Sequence, residues 1–316
     1  MTAVTRPDGA SPRGTGRVVL RHPKVRVGLA VFGLLLAGAV AHPLLAATIW
    51  NGQESIYGPE VGHDRELEHP TGPSRTHPLG TDALGRDVMS TLTFSLTPAL
   101  QVAILAALLV GLLSIAVGSL AAYFRGWVDV VVTCTADAVL LLPPAIALLV
   151  VGIGKPAFGM IDAGLLFGLL YGLGPAALVI RSRALSVIEK PFIDAARVAG
   201  AGSARIIRTQ MLPHILPYAG IQMMGAGIGA LTSVAFIQYL GATDKARVGL
   251  GSMIYTAIDV QPVLPTGFGS FNMGDFHARI GWTSLLAAGL AMTLIATGFY
   301  LIAVGSRDAV IPRARR

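Results

Sequence analysis

Six apolar runs dominate the chain: Val27 to Ile49, about Leu96 to Ala122, Val128 to Val151, Ile161 to Ile180, Tyr218 to Leu240 and Ile280 to Val304. Each is long enough to cross a hydrocarbon core about 30 Å thick as an α-helix. The stretches between them differ in kind. Met1 to Arg26 is rich in Pro, Gly, Ser and Arg without periodicity, and reads as a disordered tail ending in the basic cluster Arg17, Arg21, Lys24 and Arg26. Asn51 to Thr76 is acidic and turn-rich, with Glu54, Glu60, Asp64, Glu66 and Glu68, and is too irregular for a hairpin between helices.

The fourth and fifth runs are separated by a polar, helix-patterned island from Glu189 to Pro217. Pro191 suits a first helical position, where its missing N–H costs nothing. Gly200 suits the place just past a helix end, and Ser203 can cap a second short helix. Pro213 and Pro217 punctuate re-entry into the next apolar run. A helix from Pro191 to Ala199 would be about 13 Å long, too short and too charged to cross a bilayer. It lies outside the membrane and must touch something there.

Inside the runs, Pro143-Pro144 should kink the third helix. Asp137, in the same run, is an acid at membrane depth. It must pair elsewhere, lie near the interface or be protonated, and a structural hydrogen-bonding role is the default expectation. Gly225 and Gly229 form a GxxxG that permits close helix contact. Gln222, Gly229 and Ser233 share one helical face, which either lines a pathway or makes a helix–helix contact. Before the second run, Thr81 or Asp82 can cap a short entry helix.

With 53% hydrophobic and 13% charged residues, the composition is that of an integral membrane protein. A soluble domain carries about twice that charge. The net charge of +7 does not mark a nucleic-acid patch, because the basic residues follow the membrane topology. With the amino terminus in the cytoplasm and six crossings, 17 of the 24 Lys and Arg fall inside and seven outside. The acidic stretch, Asp244, Asp259 and Asp275 fall outside, and the island falls inside. The single Cys134 excludes an intrachain disulfide. No GxxxxGK[ST] occurs; Gly154-Lys155 is followed by Pro156, and Leu149 stands where the first Gly would be. No HExxH occurs either.

Three stretches resemble one family. Asp194-Ala195-Ala196, Gly200 and Leu212-Pro213 have the spacing of the EAA signature of ABC importer permeases, with Asp194 for the usual Glu and Met211 for a typical Ile. The run from His77 to Val88, HPLGTDALGRDV, and the loop Tyr123 to Asp129 are similar to the dipeptide, oligopeptide and nickel branch, C-type. In that family an Arg commonly stands where this chain has Cys134. The stretch Thr266 to Phe271 is unlike the family's usual Pro-Trp-Gly pattern. The resemblance implies an all-α polytopic membrane protein with the type I ABC importer permease fold and six transmembrane helices. Residues 1–26 would be a cytoplasmic tail and 27–95 the first helix and an extracytoplasmic segment. Residues 96–304 would be the permease domain with a coupling loop at 181–217, and 305–316 a second cytoplasmic tail.

It further implies a bacterial cytoplasmic-membrane subunit with both termini inside, forming half of a peptide pathway with a B-type permease subunit. Two ABC ATPase subunits and an extracytoplasmic substrate-binding protein would complete the transporter, set in membrane lipid. ATP and Mg would be used by the ATPases, with no cofactor on this chain. The contact with an ATPase would be made by Pro191, Phe192, Ile193, Asp194, Ala195, Ala196, Arg197 and Gly200, backed by Leu212 and Pro213. A nickel or other small-solute importer, an intramembrane enzyme and a membrane scaffold are the alternatives.

Ala39-Val40-Ala41 looks like a signal-peptide cleavage site, but the apolar run continues to Trp50, an interfacial anchor. Amino-terminal sequencing of the membrane-embedded protein is therefore expected to find a start ahead of Val27. A new start near His42 would show cleavage.

Overall fold

The computed structural model describes residues 20–64, 67, 70–155, 158–241, 248–260 and 282–310. The expectations for the tail up to residue 19, for Glu66 and Glu68, for Asp244, Asp275, Ile280 and the Thr266 to Phe271 stretch, and for residues 311–316 lie outside these. The elements in order are α1 (Pro23–Ala47), α2 (Glu54–Tyr57), α3 (Val88–Phe124), α4 (Gly126–Leu140), α5 (Pro144–Gly154), α6 (Met160–Leu173), α7 (Pro175–Ile188), α8 (Pro191–Val198) and α9 (Ser203–Ile206). A π-helical turn (Ile207–Met211) leads into α10 (Leu212–Tyr239). Then come α11 (Leu250–Tyr255), a second π-helical turn (Thr256–Val260) and α12 (Trp282–Val310). The described residues are all-helical apart from turns, loops and one isolated bridge.

Five stretches are long and apolar enough to cross a membrane: Pro23–Ala47, Val88–Phe124, Met160–Ile188, Ser203–Tyr239 and Trp282–Asp308. The pair α4 and α5 makes a sixth if it counts as one span, bent by 79° at its break. Pro143-Pro144 thus does more than kink this run. Pro217 does not interrupt α10, which continues through it. The tail expected from residue 305 begins as helix, since α12 runs to Val310, and Lys24 Nζ meets Asp308 Oδ2 at 2.7 Å beside the start of α1.

The bundle is arranged around α3, 37 residues long. It starts at Val88, well ahead of the expected Leu96, because its polar first turns satisfy themselves. The hydroxyls of Thr91, Thr93 and Ser95 donate to backbone carbonyls three or four residues back. Its cap is Asp87, whose carboxylate accepts the Ser90 N–H at 2.7 Å. This corrects the expected capping by Thr81 or Asp82; no entry helix forms there, and Thr81 pairs with Asp87 in the isolated bridge. Ser203 is likewise the first residue of α9 and not its cap, which is Gly202.

α6 lies closely against α3 through glycines one turn apart. A Cβ at Gly168 would stand 2.9 Å from Leu109 Cβ, and one at Gly172 would stand 3.0 Å from Leu113 Cβ. Gly164 faces Val102 in the same row. Dispersion over such close backbones is what holds helices together where lipid removes the hydrophobic drive. The expected GxxxG is half of a contact: a Cβ at Gly229 would stand 2.8 Å from Phe167 Cζ, while one at Gly225 would meet open space. α1 packs on α12, with Phe32 edge-on to Phe299 at 4.8 Å.

The side-chain hydrogen bond expected of Asp137 is not made by any described residue of this chain. Asp137 is exposed on α4, a helix whose only buried residue is Ala136.

The α3–α6 contact generates a stability prediction. Gly168→Leu overfills it and is expected to destabilise the protein by about 1–3 kcal/mol, read as a lowered thermal midpoint in detergent. Gly225→Leu, into open space, should leave that midpoint unchanged.

Candidate functional site

α8 stands at the end of the bundle where α3 finishes. Lys190 is extended, Pro191 takes the first helical position, and the helix lasts eight residues. Its stop is built from backbone. The Ala201 N–H donates to the Ala196 carbonyl at 3.0 Å and the Gly200 N–H to that of Arg197 at 2.9 Å. This paired closure, a Schellman motif, requires a left-handed residue, and Gly200 sits at φ +80°. No atom crowds the space a Gly200 Cβ would take, so the requirement is conformational and not steric.

The helix has one inward anchor. Ile193 is 0% exposed, whereas Val198 is 90% exposed. Pro191, Asp194, Ala195 and Arg197 are exposed and Ala196 is half-buried. Ile193 therefore holds α8 to its own chain instead of offering itself to a partner. Asp194 and Arg197 pair with each other at 3.1 Å. That pair is too exposed to contribute more than about 1 kcal/mol. Helices α3, α7 and α10 share a cluster that includes Ala122, Ile180, Ile188 and Ile215 with Met211, and Leu212 packs against it. Pro213 is exposed in the first turn of α10.

Two contacts that sequence reasoning missed tie α8 to the long helices. Phe192 stacks on His214 of α10, with ring centroids 5.5 Å apart. The Arg197 guanidinium lies over the Tyr123 ring, in the last turn of α3, at 5.9 Å. A third pairing joins α7 to α4: Arg181 grips Asp129 with two hydrogen bonds, one of them at 2.5 Å. Asp129 belonged to the Tyr123 to Asp129 motif, but spacing gave no sign of its partner 52 residues away.

Of the candidate pathway residues, Gln222 and Ser233 are half-buried on α10, and Gly229 is covered by Phe167. The open face of α10 runs beside them through Gly225, Thr232 and Phe236.

At the other end of α3, the His77 to Val88 motif folds into a cap. His77 is fully buried, with Nδ1 at 2.8 Å from Asp87 Oδ2 and Nε2 at 3.3 Å from Asp64 Oδ2. Arg86 is held by Asp82, which also accepts the N–H groups of Leu84 and Arg86. Burial pushes the Asp87 carboxyl above its ordinary value, against the lowering effect of its hydrogen bonds from His77 and Ser90. Tyr57 stacks on Trp50 and donates to the Thr76 carbonyl at 2.9 Å, so the acidic stretch is tied to the same cap.

The sequence of this bundle matches a family profile, binding-protein-dependent transport system inner membrane component, over residues 114–316. The chain belongs to this family. It is a multi-pass inner-membrane permease and not an enzyme, and such a component works with a binding protein and an ATPase. Relatives are similar over most of the chain. A Brucella abortus protein named for a peptide transport system permease is 28% identical, covering 99% of this chain and 97% of its own. A dipeptide transport system permease protein of Alkalihalophilus pseudofirmus is 27% identical over 92% of this chain and 86% of its own. An oligopeptide transport system permease protein of Mycobacterium bovis is 25% identical over 77% and 78%.

The cap yields a prediction. His77→Ala leaves Asp87 buried without its partner and is expected to cost about 3–5 kcal/mol of stability, measured as thermal unfolding in detergent. Asp87→Asn, which keeps a good helix cap, should cost less than Asp87→Ala.

Proposed function

We propose that this permease moves peptides inward, forming half of the pathway with a B-type permease subunit, and that α8 receives the ATPase motion. The observation that carries this is α8 itself: a helix outside the spans, with Ile193 as its one buried residue and Val198 and its neighbours presented outward. Two ATPase subunits would drive it, using ATP and Mg, while an extracytoplasmic binding protein delivers substrate at the cap end of α3. Both termini then lie in the cytoplasm, as the distribution of Lys and Arg supports. The peptide assignment is supported by what the relatives are named for.

Pro191 to Arg197 with Gly200 form the contact, and Leu212 and Pro213 seat the following helix. Motion reaches the pathway through the Arg197–Tyr123 and Phe192–His214 contacts, which join α8 to α3 and α10. Gln222, Gly229 and Ser233 are placed beside the open face of α10 that would border the route.

Val198→Glu and Gly200→Val test the reading in reconstituted vesicles. The first puts a charge on the outward surface; the second forbids the positive φ that aims the chain. Both are expected to insert normally, since no span changes, and to lose more than about tenfold in uptake, roughly 1.4 kcal/mol or more of coupling. Assembly and uptake at the wild-type rate in both would exclude α8 as the coupling element.

A further inference from the structure

The break between α4 and α5 leaves two polar features open at one depth. Asp137 lies about 17 Å along α4 from Gly126, within the apolar pair α4 and α5 that makes the sixth candidate span. It is exposed, and no described residue forms an ion pair or side-chain hydrogen bond with it. Just beyond it, Pro143 and Pro144 bring no N–H. The Leu140 carbonyl thus has no α-helical donor, and that of Val139 is met by the Leu142 N–H at 3.1 Å instead of by a donor four residues on. Leu140, Leu141 and Leu142 are all exposed, Leu141 by 86%.

Against lipid both features are unfavourable: an unpaired carboxylate at membrane depth and a broken backbone with open carbonyls. Irregular backbone persists there only where protein buries it or water lines it. A basic side chain from a neighbouring subunit would answer the carboxylate and leave the carbonyls. An aqueous passage answers both. The two features also share a sign, since the carboxyl end of a helix carries partial negative charge. Together they attract a cation.

We propose that the α4–α5 break is a polar station on the translocation route, where Asp137 and the carboxyl end of α4 take the ammonium group of the passing substrate. This rests on the peptide reading, because a peptide carries such a group at its amino terminus. Val130, Cys134 and Leu141 fall on the same helical face as Asp137 and are exposed. The station therefore offers one charge in an apolar wall. It holds the end common to all peptides and leaves their side chains unread.

The test uses the transporter assembled with its partner subunits in proteoliposomes. Asp137→Asn is expected to lower uptake of a subsaturating dipeptide by about tenfold, the loss of one charge-assisted hydrogen bond, and Asp137→Glu to retain most of it. In a Cys134→Ser background, Asp137→Cys should react with a water-soluble methanethiosulfonate, and excess dipeptide should slow the reaction. Wild-type uptake by Asp137→Asn, or an unreactive Asp137→Cys, overturns the proposal. If Asp137→Asn instead loses the partner permease on co-purification, the carboxylate belongs to the subunit interface and the substrate contact is wrong. A wild-type transporter that moves no dipeptide defeats the peptide reading and the ammonium assignment together. Dipeptide uptake with an indifferent Asp137→Asn defeats this inference alone.

Discussion

The close approach of α6 to α3 is the contact on which the rest of the bundle depends. In water two apolar helices are driven together; in lipid they are not, and shape has to do the holding. Gly164, Gly168 and Gly172 remove side chains along one edge of α6, so that Val102, Leu109 and Leu113 of α3 fill the row. α7 continues the same span, and its Ala177 carbonyl would stand 2.8 Å from a Cβ at Gly118 of α3. With α3 held on this side, α10 closes another through Ala226, Ala230 and Val234, and α1 with α12 covers the remainder.

The two ends of α3 then carry different chemistry for different reasons. At its start, the chain must satisfy a helix terminus and an acidic loop, and does so by burying His77 between Asp64 and Asp87. At its end, Tyr123 is left accessible to a neighbouring element, and Arg197 of α8 lies on it. The first arrangement is rigid, because removing His77 leaves the buried Asp87 carboxylate without that partner. The second is a face contact near the surface, which tolerates sliding.

Much of this was legible in the residues. The spans follow from runs of about 20 apolar residues, and α8 follows from Pro191 and Gly200, whose backbone demands are local. The beginning of α3 was misplaced because Ser and Thr count as polar in any window, while their hydroxyls close back on the helix. The glycine row on α6 was passed over in favour of Gly225 and Gly229, since spacing alone does not say which face meets a neighbour. The grip of Arg181 on Asp129 and the stack of Phe192 on His214 depend on which helices are adjacent, which one sequence does not contain. Ile193 illustrates the same limit: on a helix outside the membrane an apolar residue reads equally as anchor or as bait.

The length of α3 has a mechanical consequence. Tyr123 stands 14 residues past Leu109, about 21 Å along the axis, and Leu109 is where the glycine row grips. That row fixes the position of α3 against α6, so any tilt of α3 turns about it. A tilt of about 5° there carries the Tyr123 end through roughly 2 Å over that 21 Å arm. The Arg197–Tyr123 contact thus meets α3 at its end, far from the glycine row, where a given tilt of the helix produces a large displacement.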